Sequence, residues 1–123
     1  MKVTSKDTTV LKNYINGAWV SSSSNTTLDV PNPATNELLT KVPISTNEDV
    51  NAAVLAAREA FSKWKKVPVP KRARILFKYH SLLTDNHEEL ARLIVKENGK
   101  PYKEANAEVQ QGNECVEFAS GAP

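Results

Sequence analysis

Residues 13–20 read NYINGAWV, two short apolar runs on either side of Asn16 and Gly17. An Asn-Gly pair between such runs is the strongest short-range signal for a β-hairpin that is closed by a type I′ turn. Both central residues of that turn need a positive φ, which Asn and Gly tolerate better than other residues. The stretch therefore predicts that the fold begins with a hairpin.

A second hairpin is predicted farther along the chain. The polar run SSSSN, residues 21–25, is predicted as a loop, and the runs TTLDV and ELLTKVPI then bracket the turn sequence PNPATN. Proline has no N–H for a strand ladder, so Pro31 and Pro43 indicate edge strands or strand ends. We therefore predict a peripheral β-hairpin region over residues 13–44, preceded by a tail over residues 1–12.

Residues 45–123 are predicted to form about four helices. Ser45, followed three residues later by Glu48, fits a capping box at the start of the first helix. Proline and glycine then mark where one helix stops and the next begins. The predicted boundaries lie at Pro68 and Pro70, near residues 84–86, and at Asn98, Gly99 and Pro101.

Each predicted helix is apolar along one face only, at the spacing of three or four residues that is typical of amphipathic helices. In the last helix this face consists of small residues, which would allow a neighbouring backbone to approach closely. The predicted faces are Val50, Val54, Ala57, Phe61 and Trp64; Ile75, Leu76, Tyr79, Leu82 and Leu83; Leu90, Leu93 and Ile94; and Ala105, Val109, Gly112, Val116 and Ala119.

The sequence contains no buried strand against which these one-sided helices could pack. No run of Val and Ile suited to a buried parallel strand occurs in the 123 residues. The final stretch, ECVEFASGAP, continues a helix and then supplies a helix stop and a turn, and we expect the turn to lead into further chain. The predicted fold class is therefore α/β and truncated: β-hairpins followed by about four amphipathic helices that would flank a missing parallel sheet.

The charge balance argues against a nucleic-acid partner. The 16 basic and 14 acidic residues are interspersed and give a net charge of +2, whereas nucleic-acid binding needs a basic stripe. Acidic residues flank the one basic cluster, which we interpret as a solvated face. That cluster consists of Lys63, Lys65, Lys66, Lys71, Arg72 and Arg74.

The N-terminus and the cysteine content predict a reducing, cytoplasmic setting. The start, MKVTSKDTTV, lacks the apolar stretch of a signal peptide, and no apolar run reaches membrane-spanning length. A chain with one cysteine forms no internal disulfide.

Few residues are candidates for chemistry, and the residues themselves indicate structural roles for most of them. Cys115 has Glu114 and Glu117 as neighbours, whereas a nucleophilic thiol needs a base or an electropositive pocket. His80 and His87 have no partner at metal-ligand spacing. No glycine-rich phosphate-binding motif occurs. Glu88, Glu89 and Glu97 are expected to be helix-end charges, and Lys100 a solvated cation.

Five motifs in order carry a family resemblance. They are NYINGAWV, VPNPATNELLTKVP, AAVLAAREAFSKWKKVPVPKRARILFKYHSLL, ELARLIVKENGKPYKEA and the ending EVQQGNECVEFASGAP. Together they cover nearly all of residues 13–123, and they resemble the amino-terminal quarter of an aldehyde dehydrogenase. The ending is similar to the NAD-dependent, CoA-acylating branch that oxidises methylmalonate or malonate semialdehyde.

The resemblance implies a chemistry that this chain does not complete. In the family a cysteine thiolate attacks the aldehyde, hydride passes to NAD and a thioester forms. In this branch decarboxylation and transfer to CoA follow, giving propionyl-CoA or acetyl-CoA in inositol or valine breakdown. The nucleophile and the NAD-binding residues lie downstream of the matching segment, so the resemblance implies no catalytic or cofactor-binding residue here. It also implies a homo-oligomer, with the first hairpin in subunit contacts.

One departure from the family pattern concerns the substrate. Before Gly112 this sequence has Gln111, where members of the branch typically carry an arginine suited to gripping a carboxylate. Gln111 is thus the one candidate substrate-binding residue, and a helix surface position is the alternative reading. Two functions stay open: part of a semialdehyde or other aldehyde dehydrogenase, and a non-catalytic interaction or oligomerisation module or decayed remnant.

Overall fold

The computed structural model describes residues 9–122 and contains four strands and four helices within them. The strands form two separate antiparallel pairs, which precede the helices in the chain. The predicted order of hairpins and helices is confirmed. The elements are β1 (Asn13–Ile15), β2 (Ala18–Val20), β3 (Thr27–Pro31), β4 (Leu38–Pro43), α1 (Asn47–Trp64), α2 (Val69–Asp85), α3 (His87–Asn98) and α4 (Tyr102–Gly121).

The β1–β2 hairpin has the predicted turn. Asn16 and Gly17 have φ values of 51° and 79°, as the two central residues of a type I′ turn require. Tyr14 pairs with Trp19 across the strands, and their ring centroids lie 5.0 Å apart at an interplanar angle of 58°. This tilted contact adds to the stability of the strand pair, since aromatic pairs favour such geometry.

The β3–β4 hairpin is also as predicted, with an irregularity near its turn. Its register pairs Thr27 with Pro43 and shifts between Val30 and Pro31. Asn36 adopts a φ of 59° in the turn, a conformation that asparagine tolerates. The two prolines therefore lie at the ends of their strands, where no ladder N–H is needed.

The predicted N-terminal tail falls partly on residues 1–8, which lie outside the described residues. The neighbouring residues 9–11 run beside β4. The N–H of Leu11 donates to the carbonyl of Lys41 at 2.8 Å, and Val10 forms a parallel bridge with Lys41. One edge of β4 is thus partly covered by the chain itself.

The predicted capping box of α1 is wrong by one residue. Thr46, and not Ser45, is the N-cap: its side chain accepts from the N–H of Asp49, and the Asp49 side chain accepts from the N–H of Thr46. Ser45 instead accepts a hydrogen bond from Asn13 Nδ2 at 2.9 Å. The sequence fits a cap in either register, and Asp49 fixes the register because its carboxylate also binds serines from an earlier loop.

The later helix boundaries follow the predicted signals. Pro68 occupies the N-cap of α2, with Pro70 in its first turn, and Asn86 ends α2 and begins α3. Gly99 ends α3 with a φ of 77°, the left-handed conformation common at helix C-termini. Pro101 then precedes α4.

Helices α2 and α3 both pack against α4. Two small side chains, Ala91 and Ala105, are fully buried at 0% exposure. Helices α3 and α4 run in opposite directions, since Arg92 lies over the Tyr102 ring and His87 bonds Asn106. Small residues on α4 therefore permit close helix packing, as their spacing predicts.

The first helix has no such packing. No residue of α1 is buried, and Val50, Val54 and Phe61 of its predicted apolar face are each more than half exposed. The apolar stripe is present, and within the described chain most of it stays exposed.

The chain divides into two compact units, one ending at Lys65 and the other beginning at Lys66. Helix α1 thus belongs with the hairpins, whereas the sequence-based division by element type separates residues 13–44 from residues 45–123. None of the helices in the described part combines the length and the apolarity that a membrane crossing requires.

Candidate functional site

The candidate substrate-binding residue, Gln111, lies in the middle of α4 with an exposed side chain. On a helix its neighbours are the residues three and four positions away, and two of these are already engaged. Glu108 accepts from Lys100 Nζ at 2.5 Å, and Glu114 accepts from Gln110 Nε2 at 3.0 Å. The role of Gln111 in substrate binding stays a prediction.

Gly112, which follows Gln111 in the sequence, lies in the lining of an apolar groove. The groove has a volume of about 320 Å³ and is formed by α2, α3 and α4 together. Its lining includes members of the predicted apolar faces of all three helices, which the sequence could not show to converge. Its lining includes Tyr79, Leu83, Leu90, Leu93, Ile94, Val109, Gly112 and Val116.

One polar side chain in this groove is only half satisfied. Asn113 Nδ2 donates to Thr84 Oγ1 at 2.9 Å and so links α4 to the end of α2. The buried Oδ1 of Asn113 has no hydrogen-bond partner among the described residues. Thr84 Oγ1 in turn donates to the carbonyl of His80 at 3.1 Å. The pair fixes the register of the two helices, and no sequence signal pointed to it because its members are 29 residues apart.

Cys115 is a free, exposed thiol on α4. Glu114 and Glu117 are its neighbours in sequence, and no hydrogen bond or ion pair with a basic group reaches it in the described chain. A nucleophilic cysteine needs such a group to favour its thiolate. That Cys115 is no catalytic nucleophile stays a prediction.

Two ion pairs involve α3 and the turn that follows it. Arg92 donates to Glu88 Oε1 through Nε at 3.0 Å and through Nη2 at 2.6 Å, and this hydrogen bond together with the charge of Glu88 raises the pKa of Arg92. Lys100, expected to be a solvated cation, instead bonds Glu108 of α4. The expectation failed because the turn after α3 folds Lys100 back toward α4, which sequence spacing does not reveal.

One of the two histidines, His87, takes part in helix packing. His87 Nε2 shares a hydrogen bond of 2.9 Å with Asn106 Oδ1, and His80 offers its carbonyl to Thr84. No group of three His, Cys, Asp or Glu side chains in residues 9–122 is arranged to hold a metal ion.

The described chain thus carries a helix-lined groove and a polar helix-to-helix pair, but not a complete set of reacting groups. The glycine-rich loop that would cradle a dinucleotide pyrophosphate is missing from the sequence. The residues present therefore do not fit an NAD site by themselves.

Comparison with known proteins supplies a family. The sequence pattern of the Aldehyde dehydrogenase family matches residues 19–123. Malonate-semialdehyde dehydrogenase 1 of Geobacillus kaustophilus (strain HTA426) is 66% identical over 123 residues, which are 100% of this chain and 25% of that protein. Malonate-semialdehyde dehydrogenase 2 of Bacillus mycoides (strain KBAB4) is 59% identical over 118 residues, or 96% of this chain and 24% of that protein. The chain spans about a quarter of the curated relatives it matches.

Solved structures share the fold. The methylmalonate-semialdehyde dehydrogenase of Oceanimonas doudoroffii superposes with a TM-score of 0.83 at 39% identity, over 89% of this chain and 22% of that one. A point mutant of betaine aldehyde dehydrogenase from Staphylococcus aureus, in complex with NAD+, superposes with a TM-score of 0.85 at 30% identity, over 90% of this chain and 23% of that one. The two hairpins and four helices are therefore the arrangement found in one part of these enzymes.

Proposed function

Since the chain belongs to the aldehyde dehydrogenase family, we propose that it is the N-terminal part of an NAD-dependent, CoA-acylating methylmalonate or malonate semialdehyde dehydrogenase. The observation that carries the proposal is the 66% identity to a malonate-semialdehyde dehydrogenase over the whole chain. For malonate semialdehyde the overall reaction is semialdehyde plus CoA plus NAD+ to acetyl-CoA, CO2 and NADH. The methylated substrate gives propionyl-CoA in the same way.

The proposed contribution of these residues is structural. Helices α2, α3 and α4 present a groove whose apolar lining is open to solvent in the described chain, and α1 has an uncovered apolar face. Burial of apolar surface contributes about 25 cal/mol per Å², so both surfaces favour a covering partner. We propose that the cofactor-binding sheet of the complete enzyme covers them, and that the nucleophile and NAD-binding residues lie in that later part.

We propose the cellular setting from the family relationship and the sequence. The enzyme acts in the cytoplasm, in inositol or valine breakdown, and works as a homo-oligomer. Its partners are small-molecule substrates, and neither nucleic acid nor a membrane is among them. The use of a single cysteine supports the cytoplasmic setting. The interspersed charges support the absence of a nucleic-acid partner.

Gln111 is the proposed point of contact with the substrate in this part of the enzyme. Its amide offers donors to a carboxylate but carries no charge, whereas an arginine at the same place would form a bidentate, charge-assisted pair. The exposed side chain leaves room for a ligand held by another part of the enzyme. We therefore expect Gln111 to give the enzyme a weaker preference for a semialdehyde that carries a carboxylate than an arginine at this position would give.

A chimeric enzyme tests the proposed function. The 123 residues of the Geobacillus kaustophilus relative that align with this chain are replaced by this chain. NADH formation from malonate semialdehyde is then followed with and without CoA. We expect CoA-dependent turnover within about tenfold of the relative, and the relative shortened by these residues is the inactive control. A folded chimera without turnover contradicts the proposal.

The role of Gln111 is tested in the same chimera by Gln111→Arg. Hydrogen bonds to charged groups contribute roughly 1.5–3 kcal/mol, so we expect KM for malonate semialdehyde to fall about ten- to a hundredfold. Gln110→Arg is the matched control, because that side chain bonds Glu114 and lies on another side of α4. An unchanged KM in Gln111→Arg, or an equal change for an uncharged aldehyde, contradicts the contact.

A further inference from the structure

A single carboxylate at the start of α1 collects hydrogen bonds from two separate parts of the chain. Asp49 accepts from Ser22 Oγ at 2.5 Å, from Ser23 Oγ at 3.1 Å and from the Ser23 N–H at 3.2 Å. It also accepts from the Thr46 N–H at 3.0 Å, the bond that closes the capping box. Asp49 therefore joins the loop between the two hairpins to the first turn of the helix.

The loop is already shaped for this contact. The Ser24 N–H donates to Ser22 Oγ at 3.0 Å, and the Thr26 N–H donates to Ser24 Oγ at 3.0 Å. Such serine turns order a loop without any regular structure. Ser23 Oγ also lies 2.9 Å from Thr46 Oγ1, which places a second bond beside those to Asp49.

Apolar packing around α1 is sparse, so it does not hold the loop in place of these hydrogen bonds. No residue of α1 is buried, and the side chains of Val50 and Phe61 are 54% and 60% exposed. The other polar link in this region joins Asn13 of β1 to Ser45. The hairpin loop is thus held to the helix by a polar cluster at one end.

The charge of Asp49 is stabilised by hydrogen bonds alone. The bond from Ser22 is the largest cause, followed by the bond from the Thr46 backbone, and together with Ser23 they lower the pKa of Asp49 from 3.8 to about 2. The titratable groups nearby are Glu48 on the same helix and Tyr14 of β1, which lines the same cavity as Asp49. No basic side chain of the described residues forms an ion pair with Asp49.

We propose that residues 21–25 form a strap that the ionised Asp49 carboxylate fastens to the first turn of α1. Loss of that charge, or a second negative charge on the strap, releases the loop while both hairpins stay paired. The strand pairs do not depend on Asp49, because their registers are set by β1 with β2 and by β3 with β4.

Amide hydrogen exchange, measured by NMR on the complete chain, tests the strap. In Asp49→Asn the amide nitrogen cannot accept from the serines, so we expect the Ser23 N–H to exchange about tenfold faster while the ladder amides of β3 and β4 keep their protection. Glu48→Gln is the matched control, since it removes one negative charge from the same helix turn and the side-chain partner of Glu48 is Thr46, which lies outside the strap. Equal exchange of Ser23 in the two variants overturns the proposal, as does loss of ladder protection in Asp49→Asn.

A second pair of variants tests the like-charge release. Ser23→Asp places a carboxylate beside Asp49, whereas Ser21→Asp adds the same charge at an exposed position of the same loop. We expect faster exchange of the Ser24 and Thr26 amides in Ser23→Asp alone. The same rates in both variants show that the negative charge of Asp49 does not control the strap, and the proposal then fails.

Discussion

Ala105 provides the sharpest test of the helix packing. Its side chain is fully buried in the first turn of α4. Helix α3, which precedes α4 in the chain, packs against α4. Ala105→Leu adds three carbons to a site with no exposed surface. Such overpacking costs about 1–3 kcal/mol, because neighbouring side chains or the backbone must move.

The matched control is Ala107→Leu, two residues along the same helix at an exposed position. There the larger side chain extends into solvent, and we expect the free energy of unfolding to change by less than about 0.5 kcal/mol. Alanine and leucine have similar helix propensities, so the comparison isolates the packing.

Urea titration followed by circular dichroism at 222 nm measures both variants in the complete chain. We expect the midpoint of Ala105→Leu to fall with an unchanged slope. The corresponding drop in Tm is about 4–8 °C per kcal/mol for a unit of this size. Equal midpoints for Ala105→Leu and Ala107→Leu would refute the packing of α4 against its neighbours.

Three further predictions concern single residues. Gly17→Ala places a side chain at a φ of 79°, where no atom lies within 4 Å of the new Cβ, so backbone strain alone should destabilise the chain by about 1–2 kcal/mol. Gly112→Ala is equally open but helical, and it should stabilise the chain by about 1 kcal/mol. Urea midpoints of the two variants that move in the same direction contradict this prediction. Thr84→Val leaves the Asn113 amide without its partner and should cost about 0.5–1.5 kcal/mol in a urea titration, while Thr84→Ser should restore most of the loss. The folded pKa of Asp49, about 2, lies below its ordinary 3.8, so the contribution of its charge to stability is complete above pH 3.8 and disappears as the pH falls through 2. Urea midpoints of the natural chain and of Asp49→Asn should therefore converge in acid. A difference between the two midpoints that persists at pH 1.5 argues against stabilisation by the Asp49 charge.

Local signals in the sequence predicted most of the fold. The Asn16-Gly17 turn, the prolines before α2 and α4, and the Gly99 stop each act through the backbone of the residue concerned, so the signal and the structure coincide. The stripes of α2, α3 and α4 were also predicted, and they line one common groove.

Contacts between distant residues could not be predicted. The capping box of α1 was misplaced because Ser22 and Ser23, more than 20 residues earlier, help to select Asp49. Likewise Lys100 bonds Glu108, and Asn113 bonds Thr84 across two helices. Spacing in one sequence does not determine which polar side chains meet after the helices pack.

The candidate site was predicted less fully than the fold. Gln111 was singled out through a family resemblance, and its exposed position on α4 is compatible with a substrate contact without demonstrating one. The groove beside it emerged only from the packed helices. A residue that acts through another part of an enzyme leaves no local pattern in its own segment.

The most direct test of the central claim is the nucleotide sequence that follows the Pro123 codon in the gene. If these residues are the first part of a CoA-acylating semialdehyde dehydrogenase, the reading frame continues into a cofactor-binding region and then a cysteine nucleophile motif. A stop codon immediately after Pro123 would contradict the claim, because the chain spans only about a quarter of the relatives that it matches.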